Sequence, residues 1–287
     1  MSEDILYIED LGLDFKVKTE TNVVLDNLNL VQKKGEWLAL IGHSGAGKTS
    51  LGMIIKGLIN PTRGRIRMYS DSPEEDLRER KSKIGFLFSN PRDQICSLTV
   101  QGDIAFGLFH LGLSRKEIKK RTEEALDILG ISHLANRSTH SISGGEQQKV
   151  ALAGLIALKP EYIILDEPAT FLSPNERDEL LHILKDFHNS GINILYISSA
   201  WEEIFMADKV AVLHKGSIYC IESPDRLLQD EEILKITGHC TPEIYKLIKE
   251  LKKRGLSLAE HEQDIDQVVN SLIKIFKGKK GNENDLI

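Results

Sequence analysis

Cysteine is scarce in this chain: its 287 residues hold three, Cys96, Cys220 and Cys240. That number and that scatter exclude a disulfide framework and a CxxC metal site, and they read as buried, reduced thiols of a cytosolic protein. Long apolar runs are missing too. The longest, Val150 to Leu158, falls well short of the ~20 residues a membrane span needs. Basic charge is not in excess, because Lys+Arg 37 against Asp+Glu 43 gives a net charge of −6. That balance excludes a free-standing nucleic-acid binder, which carries a basic field. The opening Met1-Ser2-Glu3-Asp4 is acidic where a secretory leader is basic. The expectation is a chain that neither spans a membrane nor leaves the cytoplasm by itself, and that reaches a membrane through a partner.

What remains is ordinary globular composition, 41% hydrophobic and 28% charged, in a length that suggests one large domain with an appendage. Leu6, Ile8, Leu11, Leu13 and Phe15 alternate as in a strand, and Val23-Val24-Leu25 with Leu28 and Leu30 continue the pattern. Trp37 to Ile41 is an apolar run typical of a strand buried on both faces. After a glycine-rich stretch, Thr49 to Leu58 reads as a helix closed by Gly57. Ile84 to Phe88 reads as a strand stopped at the turn signal Asn90-Pro91. From Val100 to Lys159 the pattern is helical, with a capping box at Ser114 to Glu117.

Strands and helices then alternate at Tyr162–Leu165, Asn175–Asn189, Asn193–Ser198, Trp201–Ala207 and Val210–His214. This order implies a parallel α/β sheet with a helical insertion. Near the end, Thr241-Pro242-Glu243 opens a helix with the apolar stripe Ile244, Leu247, Ile248 and Leu251, ended by Gly255. A second helix is expected from Asp264 to Phe276, followed by a charged, solvated tail at Lys277 to Asn282.

Chemistry enters with Gly42-His43-Ser44-Gly45-Ala46-Gly47-Lys48-Thr49, which fits G-x-x-x-x-G-K-[ST] between a buried strand and a helix. Glycines let the backbone curl so that successive N–H groups face phosphate oxygens, and the helix adds its positive end. Lys48 can reach the β- and γ-phosphates and the Thr49 hydroxyl can ligate Mg²⁺, with Ser50 completing the loop set. His43 reads as a solvent-facing passenger. Tyr162 to Glu167 is a buried strand ending in two acids. Asp166 suits Mg²⁺ through water, and Glu167 suits orienting and deprotonating an attacking water. Alone the pair would pass for a solvated strand end; beside the loop it marks a nucleoside triphosphate site.

Ser143-Gly144-Gly145-Glu146 opens another helix about twenty residues before Asp166. It reads either as a second anion cradle, closing over a partner's nucleotide in a dimer, or as a simple capped helix start.

With these motifs in order, residues 5–235 resemble the ATP-binding cassette (ABC) family. The resemblance implies an α/β P-loop nucleotide-binding domain over residues 1–235 with a helical subdomain at about 90–160. It implies ATP and Mg²⁺ as ligands, Lys48 and Glu167 as catalytic residues, and Phe15 as the ring that stacks on adenine. An ordinary strand-end hydrophobe is the other reading of Phe15. Two further stretches resemble the ATPase subunits of energy-coupling factor (ECF) transporters, which take up vitamins and transition-metal ions. They are Phe88 to Gln94 with Val100 and Asp103 to Gly107, and the tail with Thr241 to Glu243 and Glu250 to Leu256. By that likeness, residues 236–287 form a small helical extension that helps hold two ATPase subunits together. The implied partners are a second ABC ATPase subunit, a transmembrane coupling subunit and a substrate-binding membrane subunit. The implied location is peripheral, on the cytoplasmic face of the cell membrane.

Three positions depart from the family's pattern. Ser89 stands where a glutamine approaches Mg²⁺, Ser199 where a histidine contacts the γ-phosphate, and Ser173 where an aspartate communicates across the dimer. A serine hydroxyl has less reach than these side chains and cannot carry imidazole's proton. The expectation is slow hydrolysis at this chain's own site and a heterodimer with a less degenerate partner. A rival reading is a nucleotide-binding structural subunit that lends its signature to a catalytic partner and hydrolyses nothing useful. A soluble ATPase of DNA maintenance would need a long coiled coil between loop and signature, where about a hundred ordinary residues stand.

Overall fold

The computed structural model describes residues 4–17, 20–68, 81–238, 243–256, 269–270 and 272–273. The alternating N-terminal residues form two long strands, β1 (Asp4–Val17) and β2 (Glu20–Lys33), paired antiparallel with Ile8 opposite Leu30 and Leu13 opposite Leu25. Their inward set, from Leu6 to Leu30, is buried, as the period of two requires of a half-solvated sheet. β3 (Trp37–Ile41) is buried at every residue and runs through a glycine loop into helix α1 (Lys48–Lys56), which Gly57 closes in the left-handed region. β4 (Arg63–Met68) then pairs with β1, giving a three-stranded sheet of order β2-β1-β4.

The larger sheet holds six strands in the order β5-β6-β7-β3-β8-β9. They are β5 (Ile84–Leu87), β6 (Tyr162–Asp166), β7 (Asn193–Ile197), β8 (Lys209–His214) and β9 (Ser217–Glu222) around β3. β5 to β8 are joined in parallel, Leu165 lying opposite Tyr196 and Leu40 opposite Ile197. α1 lies so close to this sheet that a Cβ at Gly52 would meet Ile197, Phe86 and Ile164 at 3.1–3.3 Å. Leu51, Ile54 and Ile55 of α1 join the core between the sheets.

Between β5 and β6 stand α2 (Val100–Phe109), α3 (Arg115–Ile128) and α4 (Gly144–Ala157), packed on one another. α4 buries Val150, Ala151, Leu152, Ala153, Leu155 and Ala157, nearly all round, as a helix held between layers must. α5 (Pro174–Asn189) follows β6.

Several expectations are corrected by the structure. Ser114 caps α3 through the Glu117 N–H, but the box is not reciprocal, because the Glu117 carboxylate pairs with Arg121 at 2.7 Å. Trp201–Ala207 is not a helix: a 3₁₀ turn covers Trp201–Glu203, and Ile204 and Ala207 are buried without a helical period. β4 and β9 were not anticipated. Cys96 is exposed rather than buried, on a loop whose Cys96 and Ser97 N–H groups donate to Asp103 at 2.8 Å. Cys220 is half-buried, and Cys240 lies outside the described residues.

By internal contacts the chain divides into Met1–Ile221 and Glu222–Ile287, ahead of the seam expected near residue 235. The second unit contains α6 (Pro224–Gln229), α7 (Glu231–Thr237) and α8 (Glu243–Lys253). In α8, Ile248 is buried, Leu251 half-buried and Leu247 exposed. Thr241, Pro242, most of the helix expected at 264–276 and the tail after it lie outside the described residues.

Candidate functional site

β6, β7 and β3 run parallel side by side, so their carboxyl ends open on one edge of the sheet, where α/β folds place ligands. The loop leaving β3 is tight. A Cβ on Gly42 would run into the Leu213 carbonyl oxygen. Gly47 has φ +102°, and a Cβ there would lie 2.7 Å from Leu25 Cδ2 and 3.1 Å from the Val24 carbonyl of β2. Neither position has room for a side chain, so the loop is bare backbone there, the kind of loop whose N–H groups can cradle an anion. The Leu51 N–H donates to the Gly47 carbonyl at 2.9 Å, so α1 begins at the loop's last residue.

His43, Ser44 and Gly45 are exposed, and Ala46 and Ser50 half-buried. Lys48 is buried, with Nζ donating to the carbonyls of Gly42 at 2.7 Å and His43 at 3.2 Å. Burial pushes its ammonium pKa down, and the charges of Glu167 and Asp166 oppose that.

The Thr49 hydroxyl donates to Asp166 Oδ2 at 2.7 Å, joining the first turn of α1 to the end of β6. Burial raises the Asp166 carboxyl's pKa, the Thr49 bond opposes it, and the neighbouring Glu167 charge adds to it. A hydroxyl and a carboxylate are hard oxygen donors suited to Mg²⁺. Among the described residues no group of three or more His, Cys, Asp or Glu is placed to hold a metal. A divalent ion between Thr49 and Asp166 would therefore complete its shell from phosphate and water. Glu167, half-buried, has the left-handed φ of +49°. Its N–H donates to the Ile197 carbonyl of β7 at 2.9 Å, and its carbonyl accepts the Thr170 hydroxyl at 3.0 Å.

Phe15 is 43% exposed on β1, opposite Asn22. Leu13, two residues before it, pairs with the same Leu25 that touches Gly47, so this sheet borders the glycine loop. Ser89 is half-buried just beyond β5. Nearby Gln94 folds back, its side-chain oxygen accepting the Phe88 N–H at 3.3 Å. Ser199 is exposed immediately beyond β7.

Ser143 caps α4 in a reciprocal box: its hydroxyl accepts the Glu146 N–H at 3.2 Å, and its own N–H donates to Glu146 Oε2 at 2.7 Å. Ser173 caps α5 in the same way, donating through N–H and hydroxyl to Glu176 Oε2 at 3.0 and 2.8 Å. Lys149 of α4 pairs with Glu176 at 3.1 Å. The two capped helix starts are thus tied together.

Sequence reasoning passed over three residues here. Phe171 borders the start of α4, its carbonyl 3.1 Å from a Cβ built on Gly145 and its ring 3.5 Å from one on Gly144. Glu176 was readable, since Ser173-Pro174-Asn175-Glu176 spells a capping box. Glu203, hydrogen-bonded to Ser198 and Tyr196, carried no local signal.

A family pattern described as ABC transporter matches residues 25–170. The chain is 36% identical to an energy-coupling factor transporter ATP-binding protein of Clostridium tetani, over 90% of this chain and 92% of that one. It is 33% identical to a cobalt import ATP-binding protein of Syntrophus aciditrophicus, over 92% and 95%. Among solved structures it is similar to cbiO1 of Clostridium perfringens, part of the ABC transporter complex cbiONQ. That likeness has a TM-score of 0.72 and 28% identity, covering 86% of this chain and all of the other. It is also similar to the ATP-binding cassette MJ0796 as a post-hydrolysis dimer bound to ADP and Pi, with a TM-score of 0.71, 26% identity, and coverage of 77% and 99%.

Proposed function

The chain belongs to the ABC transporter ATP-binding family, and on that footing we propose that it powers micronutrient uptake, of a vitamin or a transition-metal ion, as an ATPase subunit of an energy-coupling importer. The observation that carries the ATPase part of this reading is the Thr49–Asp166 hydrogen bond, which brings the phosphate loop and the strand-end acids into one site with Glu167 beside them. The importer part rests on the likeness to energy-coupling factor and cobalt-import ATP-binding proteins.

The geometry and the family resemblance together support the following roles. The loop from Gly42 to Gly47 turns backbone N–H groups to the phosphates, and Phe15 offers its exposed ring to adenine. Lys48 exchanges its two loop carbonyls for β- and γ-phosphate oxygens. Thr49, and Asp166 through water, would hold Mg²⁺, which when bound neutralises charge developing on the phosphates. Glu167 orients the attacking water and takes its proton. Ser143, Gly144, Gly145 and Glu146 serve the nucleotide of a second ATPase subunit, and the losses at Ser89, Ser173 and Ser199 favour a non-identical one. One missing γ-phosphate donor costs ~2–4 kcal/mol of transition-state stabilisation, so this chain's own site is slow.

Attachment is peripheral, at the cytoplasmic face. Among the described residues no helix is long and apolar enough to cross a membrane. Leu98, Phe106, Phe109 and Leu111, exposed on and around α2, offer an apolar face to a membrane subunit. The test is Glu167→Gln in the complex purified from its native membrane with the second ATPase subunit's own site inactivated, so that this chain's site alone turns over. Turnover lowered ~10²-fold or more supports catalysis by this chain; unchanged turnover supports the purely structural subunit.

A further inference from the structure

One buried acid has no part in the chemistry above. Glu203, 7% exposed, ends the 3₁₀ turn that follows β7. Its Oε2 accepts the Ser198 hydroxyl at 2.7 Å and the Tyr196 hydroxyl at 2.9 Å, and both residues are fully buried. The Ser198 oxygen in turn accepts the Ala200 N–H at 2.9 Å. Burial raises the Glu203 carboxyl's pKa and the two hydroxyl bonds oppose it, while Glu167 and Arg177 act on it as nearby charges of opposite sign. A buried carboxyl is costly unless its hydrogen bonds are made, so this group holds its two donors firmly.

The segment it grips serves both halves of the site. The Ser198 N–H donates to the Leu40 carbonyl at 3.2 Å, two residues ahead of the Gly42 loop. The adjoining Ile197 carbonyl accepts the Glu167 N–H at 2.9 Å. Tyr196-Ile197-Ser198 therefore bridges the phosphate-loop strand and the backbone of Glu167, and Glu203 clamps that bridge from behind. We propose that Glu203 is a positioning residue for hydrolysis: by holding Ser198 and Tyr196 it fixes the end of β7, whose Ile197 carbonyl sets the orientation of Glu167. The proposal rests on the ATPase reading above. Since the phosphate loop keeps its own bonds, Glu203 governs kcat rather than the KM for ATP.

In the purified transporter complex with the second ATPase subunit's own site inactivated, so that this chain's site alone turns over, Glu203→Leu lowers kcat ~10–100-fold, as a misplaced reacting group does, with KM for ATP unchanged within about twofold. Glu203→Gln keeps an acceptor oxygen and restores most of the loss. On a Glu167→Gln background, Glu203→Leu adds no further loss, because it acts through Glu167. A Glu203→Leu complex with full kcat, or an equal loss on both backgrounds, overturns the proposal. Amide hydrogen exchange separates this from failure of the ATPase reading. Glu203→Leu speeds exchange at Glu167 and Ser198 and leaves the loop from Gly42 to Thr49 protected, whatever the turnover. Unchanged exchange at Glu167, or a uniform rise across the domain, overturns the clamp. Should Glu203→Leu fail to fold, Ser198→Ala, which removes one of the two donors, is read by the same criteria.

Discussion

Thr49 and Asp166, 117 positions apart in sequence, share a hydrogen bond of 2.7 Å. The hydroxyl belongs to the first turn of α1 and the carboxylate to the last residue of β6, so one contact registers the helix that follows the phosphate loop against the strand that delivers the acids. Removing the hydroxyl at constant shape isolates its role. Thr49→Val lowers Mg²⁺-dependent turnover at this chain's site, read with the second subunit's site inactivated, ~10²-fold, while nucleotide binding in the presence of EDTA stays within about twofold. Turnover across a Mg²⁺ titration, with fluorescent-nucleotide binding, checks both halves.

Gly42 has no room for a side chain, because a Cβ would collide with the backbone carbonyl of Leu213 rather than with a yielding side-chain tip. Gly42→Ala therefore lowers stability by ~2 kcal/mol or more and weakens nucleotide binding, since relief of the clash must move the loop. Urea unfolding midpoints and binding of the fluorescent nucleotide measure the two effects.

Glu176 carries a pH signature. Its carboxyl is held from 4.5 down to about 2 by the Ser173 N–H, the Ser173 hydroxyl and Lys149. A group whose folded pKa is depressed stabilises above its unfolded value and loses that contribution as pH falls toward its folded one. Glu176→Gln is thus less stable than the parent at pH 7, and the gap narrows as pH falls from about 4.5 toward 2. Urea midpoints of both proteins at pH 7 and pH 3 test it.

Ser199 is exposed at the carboxyl end of β7, where an imidazole would find space and solvent. Ser199→His raises turnover at this chain's site by ~10-fold or more, because a donor able to meet developing phosphate charge is regained. Steady-state ATP hydrolysis by the complex, with and without Glu167→Gln, assigns the gain to this site.

How much of this was legible in the sequence varies with the range of the signal. The glycine loop, the strand ending in Asp166-Glu167 and the Ser143 cap are local patterns, readable because each needs only its own neighbours. β4 was missed because Arg63, Arg65 and Arg67 alternate with Gly64, Ile66 and Met68, leaving just two apolar residues in the strand; β1 supplies the pairing that makes it one. Trp201 to Ala207 mimicked a helix because Trp201, Ile204 and Ala207 are apolar for burial's sake, not for a helical face. Glu203 was invisible for a different reason: its meaning comes from the hydroxyls of Tyr196 on β7 and Ser198 just past it, which the 3₁₀ turn brings it back to meet.

The left-handed backbone of Glu167 has a consequence for how this position could change. A non-glycine residue at φ near +50° costs ~1–2 kcal/mol, and here the bonds from Glu167 N–H to Ile197 and from Thr170 to the Glu167 carbonyl hold it in place. Glycine would relax the backbone but delete the carboxylate. Heat resistance and turnover therefore favour different residues at 167. A library of variants sorted for survival at high temperature would drift toward glycine there, while one sorted for transport would keep glutamate.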